Sequence, residues 1–170
     1  MNRRAVLRAG LVLAAAVPAA SAAAVLEPWT GGAASALALS DIDGRVHDLV
    51  SYRGKVVLIN FWATWCEPCR HEMPSIQHLR SKLAGKPFLA FAVNVDEPEA
   101  RVRQFVKTTG LDLPVLLDPN KNVTRSWGVR VLPVTFLVGK DGRIRYRVVG
   151  DLDWSDEKIV AIIRQLMDSR

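Results

Sequence analysis

Apolar residues along this chain change their spacing several times, and each change marks an element. Over residues 37–50 apolar and polar positions alternate around Asp41-Ile42-Asp43-Gly44, which predicts a small β-hairpin. Residues 55–62 then form a continuous apolar run, the mark of a strand covered on both faces. Met73, Ile76, Leu79 and Leu83 recur at spacings of three and four, predicting an amphipathic helix kinked at Pro74 and ending near Gly85. Residues 87–95 predict a second buried strand. Residues 99–109 predict a helix with Val102, Phe105 and Val106 inward and Gly110 as its stop. A short strand over 113–117 runs into the turn Asp118-Pro119-Asn120. Residues 134–138 and 144–149 read as strands joined by Gly139-Lys140-Asp141-Gly142. The last helix takes Asp153 or Ser155 as its cap and buries Ile159, Val160, Ile162, Ile163, Leu166 and Met167. Strands and helices alternate first, and a hairpin with a final helix closes the chain. The fold class is α/β with a central mixed β-sheet flanked by helices, and no internal repeat is visible.

Composition narrows the class without redirecting it. The 170 residues suit one domain, and 49% hydrophobic content without long polar tracts excludes a disordered chain or a fibre. The net charge of +6 needs correcting for the N-terminus. Residues 1–8 are basic, 9–17 are apolar and 19–24 are small, which is the order of a secretory signal. Cleavage is expected after Ala22 or Ala24, and Arg3-Arg4 fits a twin-arginine signal. An uncleaved anchor is the alternative. However, the uncharged stretch 9–26 is short for a bilayer and is weakened by Gly10, Pro18 and Ser21. No cysteine lies near the cleavage region, which excludes a lipoprotein. The expected organisation is a signal peptide over 1–24, a flexible lead-in over 25–36 and one domain over 37–170, located in the periplasm. Membrane contact is expected only if the N-terminal segment stays attached and anchors the protein to the inner membrane. Without Arg3, Arg4 and Arg8 the charge falls to +3, too mild a balance for nucleic acid.

Candidate chemistry rests on two cysteines, Cys66 and Cys69. They fall where a buried strand gives way to a helix, whose first amides carry partial positive charge and stabilise a thiolate. Cys66, nearer the helix start, is read as the attacking thiol, and Cys69, one turn in, as the resolving thiol. A purely structural disulfide across so short a loop would contribute only ~2 kcal/mol. Zinc needs four ligands, and His71 and His78 are the only nearby additions, on the same helix. Haem attachment requires His where Arg70 stands. Redox exchange is the reading that uses every feature.

The segment Asn60-Phe-Trp-Ala-Thr-Trp-Cys-Glu-Pro-Cys-Arg-His-Glu-Met-Pro74 resembles the active site of the thioredoxin superfamily, and more narrowly the exported TlpA/ResA-like thiol-disulfide oxidoreductases. Trp127-Gly-Val-Arg-Val-Leu-Pro-Val-Thr-Phe-Leu-Val138 resembles the family's segment with a cis-proline before a strand. The resemblance covers about residues 37–168 and implies a thioredoxin-like fold, with an N-terminal β-hairpin and an inserted strand–helix portion. It implies that Pro133 is cis and faces the cysteines, exposing the backbone of Leu132 to an extended client peptide. Trp65, Glu67, Pro68, Leu132 and Pro133 are the implied client contacts, and Glu72 the implied proton-handling residue. A solvated helix carboxylate is the other reading of Glu72. Thioredoxins carry a buried Asp six residues before the first cysteine, whereas this chain has Asn60, which accepts no proton. Val131 and Val134 also depart from the family's usual Gly and Thr.

The expected function is a reductase of client-protein disulfides. Glu67 between the cysteines disfavours the Cys66 thiolate, and a less stabilised reduced form is a better reductant. Apocytochrome c and the cysteines of copper sites are the clients that the resemblance implies. A membrane thiol-electron donor is the expected second partner, the protein is expected to be a monomer, and no cofactor beyond the dithiol is expected. The competing classes are a Cu(I)-binding module, which has no Met-rich or further Cys support, and a thiol peroxidase. The latter wants Thr where Ala63 stands.

Overall fold

The structure is a computed structural model that describes residues 24–169. The expected signal peptide, apart from Ala24, lies outside the described residues. Strand β4 (Val56–Trp62) is the centre of the sheet, and all seven of its residues are buried. It runs parallel to β5 (Phe88–Val95) and antiparallel to β7 (Val134–Val138). Around it the six-stranded sheet has the order β1-β8-β7-β4-β5-β6, with β1 at Glu27–Pro28, β6 at Val115–Asp118 and β8 at Ile144–Val149. The apolar run of β4, broken only at Asn60, follows from this position, because both faces of the sheet are covered.

The two-residue period of β4 divides the core. Val56, Leu58 and Trp62 pack on the face covered by helices α1 (Glu67–Lys82) and α4 (Glu157–Asp168), with Ile76, Leu79, Val160 and Ile163. Val57, Ile59 and Phe61 pack on the opposite face with Phe91, Phe136 and Trp127. Asn60 falls on the α1 and α4 face by the same alternation, a polar residue in the middle of a buried strand.

The predicted hairpin is present as β2 (Ala38–Ser40) and β3 (Val46–Asp48), antiparallel and separate from the main sheet. Its Asp41 accepts from the Asp43 and Arg45 amides, and the Ile42 amide donates to Val115 on β6. Helix α2 (Glu99–Thr109) ends at Gly110 in the left-handed conformation, as its sequence predicts. Helix α1 runs through Pro74 to Lys82; Pro74 lies on the exposed side and cannot donate to the Arg70 carbonyl.

Three local readings are corrected. The cap of α4 is Asp156, whose carboxylate accepts from the Lys158 amide; Asp153 instead binds the Ser155 amide just upstream. A short helix α3 (Asn122–Ser126) follows the Asp118 turn, held because Asp118 accepts from Thr124 through both its amide and its hydroxyl. Within the lead-in, Glu27 and Pro28 pair with Arg147 and Tyr146 as an edge strand, and the Trp29 ring packs on Phe136. Among the described residues no helix is long and apolar enough to cross a membrane.

Candidate active site

Strand β4 ends at Trp62, and a tight turn closed by the Cys66 amide on the Ala63 carbonyl delivers the chain to α1. Cys66 is the cap of that helix and keeps extended backbone angles. Its sulfur accepts from the Cys69 amide at 3.3 Å, so the first turn of the helix is organised around sulfur. Pro68 sits in this first turn, where a missing N–H costs nothing. Cys66 and Cys69 are joined in a disulfide with their Cα atoms 5.3 Å apart. Cys66 is 5% exposed and Cys69 fully buried, so Cys66 is the more accessible sulfur of the pair.

The surroundings of the disulfide divide into an outer and an inner group. Outside, Trp65 is 68% exposed, Val131 is exposed, and Glu67 and Pro68 face solvent on the helix start. The Leu132–Pro133 peptide is cis. The pairing of Phe61 with Val134 puts Pro133 at the same end of the sheet as the start of α1. Leu132 is half-buried and Pro133 buried, so the exposed apolar surface at this end of the sheet is formed mainly by Trp65 and Val131.

Inside, Glu72 lies one turn beyond Cys69 and is only 3% exposed, which removes the reading of a solvated carboxylate. Asn60 Nδ2 donates to its Oε1 at 2.6 Å, and Trp154 Nε1 donates to its Oε2 at 3.0 Å. The Leu152 amide donates to Oε2 at 3.4 Å. Asn60 Nδ2 also donates to Thr135 Oγ1 at 2.9 Å. Burial pushes the Glu72 carboxyl up to about 7, against the three donors that favour its charge and with help from the nearby Asp151 charge. Glu72 borders a groove of about 440 Å³ shared with His78, Asp151, Leu152 and Asp153. A buried carboxyl raised to near neutrality, one turn from Cys69, is able to take and return a proton.

A second buried carboxylate holds the approach to the cysteines. Glu97, in the loop after β5, accepts from the Thr64 amide at 2.7 Å and the Thr64 hydroxyl at 2.5 Å. It also accepts from Asn94 Nδ2 at 2.8 Å. Neither Glu97 nor Trp154 and Thr135 stood out in the sequence. Glu97 belongs to a loop without periodicity, and the others meet Glu72 only through the fold. Among the described residues no cluster of three or more His, Cys, Asp or Glu is placed to hold a metal ion.

The Redoxin family model matches residues 15–163. The chain is 40% identical over 128 residues to the thiol-disulfide oxidoreductase ResA of Geobacillus thermodenitrificans, covering 75% of this chain and 74% of that one. The ResA of Geobacillus kaustophilus is 37% identical over 126 residues, covering 74% and 72%. A crystal structure described as the thiol:disulfide interchange protein DsbE of Chlorobium tepidum superposes with a TM-score of 0.74. It is 29% identical, with 84% of this chain and 99% of that chain covered. A disulfide capping the helix after the central strand, a cis-proline at the same sheet end and these likenesses agree: the chain belongs to the Redoxin family and is a ResA-like thiol-disulfide oxidoreductase with a thioredoxin-like fold.

Proposed function

We propose that this enzyme is an exported reductase of client-protein disulfides, working through Cys66 and Cys69 with Glu72 as proton acceptor and no cofactor beyond the dithiol. In the reduced enzyme the Cys66 thiolate attacks a client disulfide, forming a mixed disulfide and releasing one client thiolate. The Cys69 thiol then passes its proton to the Glu72 carboxylate. The resulting thiolate attacks the Cys66 sulfur, breaks the mixed disulfide and releases the second client thiolate. Two electrons have moved to the client, whose thiolates take up protons, and the enzyme holds the Cys66–Cys69 disulfide. A membrane thiol-electron donor restores the dithiol, and Glu72 returns its proton.

The observation that carries this reading is the pairing of a helix-capping disulfide with a buried carboxyl one turn further on. The exposed Trp65 and Val131 offer an apolar surface to an extended client, beside the backbone of Leu132. Export is supported by the basic, apolar and small-residue order of the N-terminus, and the periplasm is the compartment this reading implies. Apocytochrome c and copper-site cysteines are the clients we favour, and the enzyme acts as a monomer. The test is Cys69→Ser in cells. With resolution blocked, Cys66 accumulates clients as mixed disulfides that mass spectrometry names. No adduct with Cys69→Ser, together with unimpaired function in Cys66→Ser, overturns the mechanism.

A further inference from the structure

Among the described residues every hydrogen-bond partner of the Glu72 carboxylate is a donor: Asn60 Nδ2 on Oε1, and Trp154 Nε1 and the Leu152 amide on Oε2. Such a set satisfies an ionised carboxylate. Among the described residues it leaves a protonated one with no acceptor for its O–H. The indole N–H of Trp154 and the backbone N–H of Leu152 can only donate. Asn60 is the exception, because its amide can turn over and present Oδ1 where Nδ2 stood, with almost no change of shape.

The surroundings of Asn60 accommodate both orientations. The residue is fully buried, and its Oδ1 has no hydrogen-bond partner among the described residues as it stands. Nδ2 makes two bonds, to Glu72 and to Thr135 Oγ1. Turned over, Oδ1 accepts from a protonated Glu72 and from the Thr135 hydroxyl, which donates as readily as it accepts. The amide makes two bonds either way and leaves its other end unpartnered either way. What differs is whether Glu72 carries the proton. An unpaired buried polar group is costly, so the amide orientation and the proton have to change together.

We propose that Asn60 is the positioning residue of Glu72, its side-chain amide turning over each time Glu72 gains or loses a proton. The place of this motion in the reaction rests on the reading of Glu72 as proton acceptor; the turning itself does not. It accounts for an amide where thioredoxins carry a buried carboxylate. Aspartate here would put a second carboxyl 2.6 Å from the first, and the two would compete for one proton. An amide serves both charge states and holds no proton of its own.

Other titratable groups do not replace it. From α1, His71 and His78 border the groove beside Glu72, and Cys69 is held in the disulfide. The loop between β8 and α4 contributes Asp151 and Asp153, while β4 and β7 contribute only Asn60 and Thr135 to this cluster. Asp151 acts on Glu72 through its charge alone, since no hydrogen bond joins them among the described residues.

The test is nuclear magnetic resonance of the oxidised full chain from about pH 5 to about pH 9. It follows the Asn60 side-chain amide and the Glu72 carboxyl carbon in the same sample. The expected result is a shift of the amide protons with the same midpoint as the carboxyl carbon, and its loss in Glu72→Gln. A carboxyl carbon that titrates while the Asn60 amide stays unchanged overturns the proposal. So does a carboxyl carbon that does not titrate in this range. Coupled titration in an enzyme whose resolving step ignores Glu72→Gln upholds the turning amide and removes Glu72 from the reaction.

Discussion

Two glutamates near the cysteines are buried to almost the same degree, Glu72 at 3% and Glu97 at 6% exposed, yet they are built for different work. Glu97 grips Thr64 through both its amide and its hydroxyl, fixing the loop that leads into Cys66, and Arg101 lies 3.9 Å away. Glu72 is bound by groups 12, 80 and 82 residues distant, with no Lys, Arg or His paired to it among the described residues. The Asp151 charge adds to the cost of ionising it. A carboxylate tied to a loop and reached by a cation is a clamp. One whose charge goes unanswered in a low-dielectric interior is pushed towards neutrality, the range in which a carboxyl is able to exchange a proton. Residue type and burial are shared; the partners decide.

Replacement by glutamine separates the two roles, because an amide keeps acceptors but holds no proton. The widest separation lies in stability against pH. The folded Glu72 carboxyl is raised from 4.5 to about 7, so its contribution is complete below 4.5 and is lost as pH rises through about 7. The loss is on the order of 3 kcal/mol. Urea unfolding at pH values on either side of that window shows the slope in the wild type and in Glu97→Gln, and not in Glu72→Gln. The next effect is at the clamp. Glu97→Ala leaves the Thr64 and Asn94 donors unpaired, costing about 2 kcal/mol and slowing mixed-disulfide formation. Glu97→Gln recovers most of both, read as Tm and as the rate of attack on a model disulfide. The smallest effect is at Trp154. Trp154→Phe removes a donor that favours the ionised form, so the Glu72 midpoint rises by about one pH unit. A carboxyl carbon titration measures it, and a fall in the midpoint would break the assignment of that bond.

The contrast also explains what could be read from the chain in advance. Periodicity locates β4, the hairpin and both bounds of α2, because local spacing and the Gly110 stop specify them. It misses β1, whose two residues owe their conformation to Arg147 and Tyr146 across the sheet. It also misses α3, five residues long and organised by Asp118 upstream. At the site, Cys66, Cys69 and the helix spacing to Glu72 are local and legible. The burial of Glu72 is not, since it depends on Trp154 and Leu152 closing over it from the far end of the chain. Asn60 reads in sequence as a lost proton acceptor. In the fold it is the partner that touches Glu72, the carboxyl proposed to take that role.

In the proposed mechanism the central step is the transfer of the Cys69 proton to Glu72. Single-turnover resolution of a preformed Cys66 mixed disulfide, followed by rapid quench across pH, measures that step alone. The predicted wild-type rate rises with pH through a midpoint near 7, where Glu72 becomes able to accept. In Glu72→Gln that rise at 7 disappears and the rate at neutral pH falls by on the order of 100-fold. Equal rates and superimposable profiles in the two proteins would contradict the account.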